Sequence, residues 1–389
     1  MHIFFSAGEP SGDHHAAHLA QAIREHVPEA RFSGFGGVHL EQAGAEVLYP
    51  LTDMAVMGIT AVLPLIKKFY DVAQMGRRFL EEQRPDAVIL IDFPGFNWHI
   101  AKYAKQLGIP VYFYCPPQLW AWGAWRIKWV RQYIDCILSV LPFEAEWYQK
   151  QGVRVEYVGH PFFDDVAEKQ LDEEFCRSLH PNGERLVGLL PGSRRNEVTR
   201  NFPAMLEVAR KIHRDHPDVR FPVACYKEYQ RDWCVEQLRQ LGESLPIDFH
   251  VGRTSEIIAT MDCCVMVSGS VSLEVLARCK PAAVVYRPTA LNYMYGKALI
   301  QIKYMALPNL MVDREMLPEF LYVYNVPKQA ARMHAVIDRW LSHPEEMQAL
   351  ADEMDELRKS VMHAGGIAKA AETVLKLLGH EPPLQQAAA

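Results

Sequence analysis

Short runs of continuous apolar residues constrain the fold of this chain more than any other feature. Runs such as "AVILI" at 87–91 and "CCVMV" at 263–267 place apolar side chains on both faces of a strand. Parallel sheets with helices on both sides bury both faces of their strands in this way. Helix-length segments separate the runs along nearly the whole chain. The sequence therefore predicts an α/β fold built from doubly wound parallel sheets.

The apolar runs form two successive series, which predicts two Rossmann-like domains. The first series ends near residue 160 and is followed by a polar stretch suited to a linker, and the second begins with "LVGLLPG" at 186–192. We expect the domains at 1–165 and 184–345. Helices from about residue 350 are expected to pack back on the first domain, and 380–389 to form a disordered tail.

Composition narrows the class of function. The 389 residues carry a net charge of -6, which argues against a general nucleic-acid binder because such proteins present a basic field. The eight cysteines form no C-x-x-C pair, so we expect buried, reduced thiols in a cytosolic protein and no zinc site. The longest apolar run, at 55–66, is too short to span a bilayer.

Two turns of the first domain follow predicted strands, where ligands of such sheets bind. In "SAGEPSGD" at 6–13, Gly8 and Gly12 allow close approach to the backbone, and the N-terminus of the next helix could face an anion or a sugar, unless Ser11 or Asp13 only caps the turn. Asp92 ends an apolar strand, and partial burial would raise its pKa into the range of a general base. The structural alternatives are a capped turn for the first motif and a helix cap at Asp92.

The motif "LLPGSRRNEV" at 189–198 places two guanidinium groups where a strand turns into a helix. Because the N-terminus of a helix is already partly positive, Arg194 and Arg195 cost stability there unless an anion binds. Gly192 and Ser193 precede them in the turn. The sequence therefore predicts an anion site at this loop.

A second turn of the same domain, "SGSVSLE" at 268–274, could hold a phosphate on the backbone amides of Gly269 and Ser270 after Ser268. Glu274 could accept hydrogen bonds from a ribose diol, while a serine cap with Glu274 complementing the helix dipole is the structural alternative. No Asp-x-Asp motif is present. The two turns together predict a nucleotide-diphosphate pocket with Arg194 as its cation and with no metal or other cofactor.

Eight short motifs occur in one order over nearly the whole chain: "SAGEPSGD", "IDFPGFN", "PPQLWAW", "LPFE", "GHP", "LLPGSRRNEV", "SGSVSLE" and "LPNL". In this combination the sequence resembles the lipid A disaccharide synthases, which are inverting, metal-independent glycosyltransferases of the GT-B class. The resemblance implies two Rossmann-like domains with a cleft between them. It also implies a UDP-2,3-diacylglucosamine donor, a 2,3-diacylglucosamine 1-phosphate acceptor, and a β-1,6-linked disaccharide 1-phosphate and UDP as products.

The resemblance assigns roles to individual residues. Asp92 would be the base, Arg194 would contact the diphosphate, and Glu274 and Asn309 would belong to the nucleotide pocket. The family often has a second acidic residue after the proline of the Asp92 loop, where this chain has Gly95. Only Asp92 would therefore act from this loop.

Acylated substrates imply a cytoplasmic protein held peripherally at the inner face of the inner membrane. The segment 57–78 mixes apolar and basic residues, as interfacial helices do. Its expected lipid contacts are Leu63, Leu65, Ile66, Lys67, Lys68, Arg77 and Arg78. An apolar stripe that faces the protein core is the alternative. The C-terminal helices could exchange between protomers of a homodimer, although nothing in their pattern requires it.

Two other functions fit a two-domain scaffold of this kind. One is a UDP-N-acetylglucosamine 2-epimerase, which would act without a lipid. The other is a non-catalytic protein that binds a nucleotide or a lipid, because fold alone does not fix function. The product distinguishes the three: a disaccharide, an epimerised sugar, or none.

Overall fold

The computed structural model describes residues 1–54, 65–300, 302–362 and 365–380. The chain divides into two compact units. The first comprises Met1–Asp164 and the C-terminal helix, and the second comprises Asp165–Met362. Each unit has its own parallel sheet with helices packed on it, as the apolar runs predicted.

The sheet of the first unit has seven strands in the order β3-β2-β1-β4-β5-β6-β7. Every described pairing in it is parallel. The strands are β1 His2–Ala7, β2 Arg31–Gly36, β3 Glu46–Pro50, β4 Ala87–Ile91, β5 Val111–Tyr114, β6 Cys136–Ser139 and β7 Val155–Tyr157. All residues of β4, β5 and β6 are buried, because helices cover both faces of these central strands.

Helices connect these strands and cover the sheet. They are α1 Pro10–His26, α2 Val38–Gln42, α3 Ile66–Gln83, α4 Pro94–Gln106, α5 Ile127–Tyr133, α6 Pro142–Lys150 and α7 Pro161–Glu168, with 3-10 turns at Leu51–Met54 and Ala124–Arg126. Four of them, α1, α4, α6 and α7, begin with a proline. A proline is well suited to the first helical position because the amide it lacks would have no partner in the helix.

The sheet of the second unit has six strands in the order β10-β9-β8-β11-β12-β13, and its described pairings are parallel. The strands are β8 Arg185–Leu190, β9 Val219–Cys225, β10 Ile247–Val251, β11 Cys263–Val267, β12 Ala282–Tyr286 and β13 Glu319–Leu321. The helices are α8 Glu173–Ser178, α9 Arg195–Asp215, α10 Glu228–Leu241, α11 Thr254–Thr260, α12 Val271–Ala277, α13 Ala290–Leu299, α14 Leu307–Val312, α15 Val326–Ser342 and α16 Pro344–Val361.

Each sheet reverses its strand order once, between β1 and β4 in the first unit and between β8 and β11 in the second. Open α/β sheets bind their ligands outside the carboxyl ends of the strands at such a switch point. The four motifs singled out in the sequence follow these four strands. The topology therefore places one pair of motif loops at the switch point of each unit.

The C-terminal helix α17, Gly366–Leu377, packs on α1 and so returns the chain to the first unit. Asp164 anchors its start. Oδ1 of Asp164 accepts from the amide of Gly365 at 2.8 Å, and Oδ2 accepts from the amide of Ile367 at 2.8 Å. Glycine suits position 366 because an added Cβ would lie 3.3 Å from the carbonyl carbon of Gly159, which is a tight contact. The expected disorder at 380–389 concerns residues that, apart from His380, lie outside the described ranges.

Replacement of Asp164 by alanine should loosen α17 from the first unit. The buried carboxylate satisfies amides at the start of the helix, and the loss of such an acceptor costs about 1–3 kcal/mol. Hydrogen exchange of the amides in 366–377 should accelerate by about tenfold or more. Asp86→Ala is the control, because that carboxylate accepts one exposed bond from the amide of His2. Unchanged exchange in Asp164→Ala would show that packing on α1 alone holds the helix.

Candidate functional site

A buried amide, Asn97 of α4, ties together the ends of β1 and β4 at the switch point of the first unit. Nδ2 of Asn97 donates to the carbonyl oxygens of Ser6 at 3.1 Å, Ile91 at 3.2 Å and Asp92 at 2.8 Å. Oδ1 accepts from the hydroxyl of Ser6 at 2.6 Å. Asn97 is the last residue of the motif "IDFPGFN", and the sequence alone indicated no role for it. It fixes the backbone from which the Asp92 side chain projects.

Three non-glycine residues adopt the left-handed backbone conformation at this edge of the sheet, although side chains disfavour it. Asp92 has φ 48°, Phe93 has φ 43° and Cys115 has φ 49°. Such residues carry strain and persist only where their surroundings hold them, and they concentrate at functional sites. Asp92 and Phe93 follow β4, and Cys115 follows β5. The strain therefore lies beside the candidate base.

The two glycines of the first motif make room for the Asp92 loop. A Cβ on Gly8 would lie 2.2 Å from Cδ1 of Phe93, so that position must be glycine for the aromatic ring to fit. A Cβ on Gly12 would lie 3.1 Å from Oδ2 of Asp92. The Asp92 carboxylate therefore lies against the first turn of α1. Ser11, in the same turn, is exposed.

Asp13, the last residue of that motif, has a structural part. Its carboxylate is buried and accepts from the amides of Gly37 at 2.6 Å, His39 at 2.9 Å and Leu40 at 3.2 Å. These amides begin α2 and would otherwise lack partners. Asp13 thus caps a neighbouring helix rather than its own.

The carboxyl group of Asp92 is poised to exchange a proton near neutral pH. Desolvation, followed by the nearby charges of Glu9 and Glu144, raises the pKa of Asp92 to about 7. Desolvation and like charge both disfavour the carboxylate form. Asp92 accordingly combines a strained backbone, a fixed position and a pKa suited to general base catalysis.

Glu144 is a second buried carboxyl group of the first unit, and the sequence analysis assigned it no role. It is 1% exposed and lies in the first turn of α6, within the motif "LPFE". Oε1 accepts from Nε1 of Trp120 at 3.0 Å, and Oε2 accepts from the hydroxyl of Ser139 at 2.8 Å. Burial raises the pKa of Glu144 to about 7 although these hydrogen bonds favour the ionised form. An acidic residue in the first helical turn after a buried strand was the signal available in the sequence.

The thiol of Cys115 is close enough to Asp92 and Glu144 for their charges to affect its pKa. Burial, followed by the charges of Asp92 and Glu144, raises the pKa of the Cys115 thiol well above its usual range. A thiol held protonated is a poor nucleophile. Proton transfer at this edge of the sheet is therefore assigned to the carboxyl groups and not to the thiol.

At the switch point of the second unit, Arg194 directly precedes α9. Its Nη1 donates to Oε1 of Glu197 at 2.9 Å, and Oε2 of Glu197 accepts from the Arg194 amide at 3.1 Å. The Arg194 side chain remains 58% exposed, so Glu197 orients the guanidinium without enclosing it. Gly192 permits the turn because it has φ 104°. Ser193 and Arg195 are exposed on either side of Arg194.

Gln230 of α10 is a buried residue that the sequence analysis missed. Its Nε2 donates to the carbonyl of Ser193 at 2.7 Å, and its Oε1 accepts from the amides of Tyr226 at 2.8 Å and Lys227 at 3.2 Å. It therefore ties the Arg194 loop to the loop that follows β9. A cavity of about 220 Å³ lies beside it, lined by Arg195, Val198, Thr199, Tyr229, Gln230 and Trp233.

The turn after β11 leaves its backbone open. Gly269 and Ser270 are exposed, and no heavy atom lies within 4 Å of a Cβ placed on Gly269. The hydroxyl of Ser268 donates to the carbonyl of Met305 at 2.7 Å. Glu274 is 5% exposed and pairs with Arg278 at 3.3 Å. In this structure the Glu274 carboxylate thus already has a cationic partner at the C-terminal end of its own helix.

Asn309 is fully buried, and its amide is saturated by bonds within the unit. Nδ2 donates to the carbonyl of Leu317 and to Oε1 of Glu319, both at 2.8 Å. Oδ1 accepts from the amides of Met316 at 3.0 Å and Leu317 at 2.8 Å. Glu319 in turn accepts from the amide of Met305. Asn309 therefore supports the segment that receives the hydroxyl of Ser268.

One group in the second unit brings three potential metal ligands together: Asp215, His334 and Asp338. It lies at the C-terminal end of α9, whereas Arg194 precedes the N-terminus of the same 21-residue helix. A helix of that length spans about 30 Å. Asp215 already pairs with His334 and Arg214, each at 2.8 Å. This group therefore does not contribute to the switch point.

Comparison with known proteins gives a consistent result along the chain. The profile of the Lipid-A-disaccharide synthetase family matches residues 3–364. Lipid-A-disaccharide synthase 1 of Legionella pneumophila is 34% identical over 362 residues, which cover 92% of this chain and 93% of that protein. The lipid-A-disaccharide synthase of Myxococcus xanthus is 34% identical over 380 residues and 97% of both chains.

Solved structures share the fold at lower identity. The UDP-GlcNAc 2-epimerase of Neisseria meningitidis, bound to UDP-GlcNAc, aligns with a TM-score of 0.62 at 11% identity and covers 97% of this chain and 99% of its own. A calicheamicin glycosyltransferase aligns with a TM-score of 0.61 at 15% identity over 98% of this chain and 99% of its own. These likenesses support the predicted GT-B architecture of two α/β units.

The buried carboxyl of Glu144 should make the stability of the first unit depend on pH. Because its folded pKa of about 7 exceeds the usual 4.5, the folded state retains a proton that the unfolded state loses. Stability should therefore fall as pH rises from about 4.5 to about 7 and level off above. Glu144→Gln, which cannot ionise, should show a shallower fall in melting temperature between pH 5 and 8. Identical pH profiles for the two proteins would contradict the assigned burial of this charge.

Proposed function

The chain belongs to the lipid-A-disaccharide synthase family and is a glycosyltransferase, and we propose how its residues perform the reaction. The donor is UDP-2,3-diacylglucosamine and the acceptor is 2,3-diacylglucosamine 1-phosphate. The products are a β-1,6-linked disaccharide 1-phosphate and UDP. The observation that carries the residue assignment is the half-buried Asp92 carboxyl group at the switch point of the first unit, with a strained backbone and a pKa of about 7.

Asp92 acts as the general base toward the acceptor hydroxyl. A carboxylate removes a proton from an alcohol more effectively as its pKa rises, and a carboxyl group with a pKa of about 7 is still ionised in part at neutral pH. The proton moves to Asp92 as the hydroxyl oxygen attacks the anomeric carbon of the donor. A single displacement inverts that carbon, so no nucleophile of the enzyme is needed.

Arg194 stabilises the negative charge that develops on the departing diphosphate. Its guanidinium is exposed and oriented by Glu197, and a single Nη1 contact leaves other donors free to reach phosphate oxygens. A cation that meets charge as it develops lowers the barrier more than it tightens ground-state binding. The guanidinium thereby supplies the positive charge that a divalent cation provides in other diphosphate sites.

Backbone groups of the two loops complete the donor site. We assign phosphate contacts to the amides of Gly192, Ser193, Gly269 and Ser270, with Ser268 holding the second loop through Met305. Glu274 would release its ion pair with Arg278 and accept hydrogen bonds from the two hydroxyl groups of the ribose instead. Asn309 supports this loop from inside the unit and acts as a positioning residue.

The two units divide the substrates. We assign the nucleotide-sugar to the second unit, because its two loops carry the phosphate-binding features. The acceptor belongs to the first unit, where Asp92 lies, Gly8 and Gly12 admit its loop, and Ser11 is exposed to contact substrate. We propose that residues 1–165 form the acceptor domain and residues 184–345 form the nucleotide-sugar domain, as the sequence predicted.

Acylated substrates require contact with a lipid surface, and α3 is suited to provide part of it. Its residues Ile66, Tyr70 and Met75 are exposed apolar side chains. Leu65 is half-buried at its start, whereas Leu63 lies outside the described residues. The basic residues Lys67, Lys68, Arg77 and Arg78 are exposed on the same helix, and Arg77 pairs with Glu81 at 2.8 Å. We propose peripheral binding to the inner face of the inner membrane.

No helix in the described ranges is both long and apolar enough to cross a membrane.

The alternative epimerase activity has weaker support than the synthase activity. Relatives named lipid-A-disaccharide synthase reach 36% identity over 326 residues, whereas the epimerase of Neisseria meningitidis shares the fold at 11% identity.

Asp92→Asn should abolish most turnover while leaving the nucleotide site intact. The amide keeps the size of the side chain but cannot accept a proton, so the rate should fall by roughly two to four orders of magnitude. In the wild type, kcat/KM should rise with pH through about 7, because the base must be ionised. Product formation from the UDP-sugar donor measures the rate, and calorimetric UDP binding is the control. Turnover near that of the wild type would remove Asp92 from the mechanism.

Arg194→Ala should reduce the rate by roughly two to three orders of magnitude and weaken UDP binding. Lysine should restore activity only in part, because it lacks the planar pair of donors. Arg195→Ala provides a matched control, since Arg195 is the exposed neighbouring guanidinium and should matter less. Equal losses in the two alanine variants would assign the effect to general positive charge rather than to Arg194.

A further inference from the structure

Exposed apolar side chains concentrate in one short segment of the second unit. Sixteen large apolar or aromatic residues are exposed in the described part of the chain, and six of them lie within 291–300. Exposed residues of this kind are normal when scattered singly, but a contiguous patch marks a surface that meets another molecule. The six are Leu291, Tyr293, Met294, Tyr295, Leu299 and Ile300.

The amphipathic pattern of α13 is inverted relative to that of a core-facing helix. At about 100° per residue, Leu291, Met294, Tyr295 and Leu299 share one face. These side chains are 56–65% exposed. The least exposed residues, Tyr293 and Gly296, lie on the opposite face. No residue of α13 is buried. The apolar face is therefore directed away from the unit that carries the helix.

The surrounding charge identifies the chemistry of the missing partner. Residues 287–312 contain no aspartate or glutamate, although the chain has 47 acidic residues and a net charge of -6. The same segment contains Arg287, Lys297 and Lys303, of which Lys303 pairs with Asp313 at 3.2 Å and Lys297 lies on α13 itself. Tyrosines occur at 293, 295 and 304. Lysines beside an apolar face with tyrosines are the composition of helices that lie at the surface of anionic membranes.

We propose that α13 is a lipid-binding helix that lies in the boundary between headgroups and acyl chains of an anionic bilayer. Leu291, Met294, Tyr295 and Leu299 enter the acyl region, and Lys297 remains near the headgroups. Ten residues of helix extend about 15 Å, which suits a helix that lies along the surface. This surface belongs to the second unit and differs from α3. It rests on the proposed function only in that acylated substrates reside in such a bilayer.

A second copy of the chain is a less suitable partner for this face. A two-fold symmetric interface places the same patch on both sides. Two α13 segments would then bring Lys297 and its symmetry copy together with no acidic residue in 287–312 to pair with them. Like charges in such an interface oppose association. An anionic lipid surface instead complements both the apolar face and Lys297.

The test is flotation with vesicles of phosphatidylethanolamine and phosphatidylglycerol at 0.1 M and 0.5 M NaCl. Met294→Ser combined with Leu299→Ser should raise the lipid concentration for half-maximal flotation by about tenfold at both salt concentrations, because apolar contact is lost. Val38→Ser with Leu321→Ser removes exposed apolar surface elsewhere and should float like the wild type. Lys67→Glu with Lys68→Glu should weaken flotation chiefly at 0.1 M, where charges are less screened.

Three outcomes would overturn the proposal or separate it from the enzymatic one. Unchanged flotation of the Met294 and Leu299 variant would show that α13 does not contact lipid. Conversion of a dimer to a monomer by that variant, seen in sedimentation velocity with no change in flotation, would assign the face to a second copy. A wild type that floats through α13 but forms no disaccharide would retain this inference and reject the proposed function. Glycosyl transfer on a dispersed short-chain acceptor should stay unchanged in the variant.

Discussion

The hydrogen bonds of one buried amide, Asn97, hold the chemistry of the first unit in place. They join the carbonyl groups at the ends of β1 and β4, which are the two strands where the sheet reverses its order. The same amide bonds the carbonyl of Asp92, whose left-handed backbone is otherwise unfavourable. Without this constraint the loop could relax, and the carboxyl group would lose both its position against Gly12 and its partial burial.

The second unit uses buried amides for a related purpose. Gln230 fixes the carbonyl of Ser193 beside Arg194, and Asn309 supports the segment that receives the hydroxyl of Ser268. In each case the amide is buried and occupied, while Arg194, Gly269 and Ser270, which are proposed to contact the diphosphate, remain exposed. Fixed backbones lower the entropy lost when a ligand binds. A rigid interior thus positions loops whose outer groups are free to bind.

The sequence predicted the doubly wound sheets because their central strands are continuous apolar runs. It missed β3 and β13, since these short edge strands are partly exposed and lack such runs. The predicted family is confirmed, and the motifs located Asp92 and Arg194 beside the two switch points. Asn97 and Gln230 were missed because an amide inside a helical segment looks like any other polar residue until its partners are known. Contact of 57–78 with lipid remains a prediction.

Charge explains why the base and the cation suit different units. The influences on Asp92 are burial and the carboxylates of Glu9 and Glu144, all of which raise its pKa. A guanidinium placed beside it would favour the carboxylate and lower its proton affinity, which would weaken it as a base. A guanidinium itself stays charged beside an acid such as Glu197, so Arg194 tolerates the ion pair that orients it. An acidic environment for the base and a basic loop for the diphosphate therefore each remain effective when separate folds carry them.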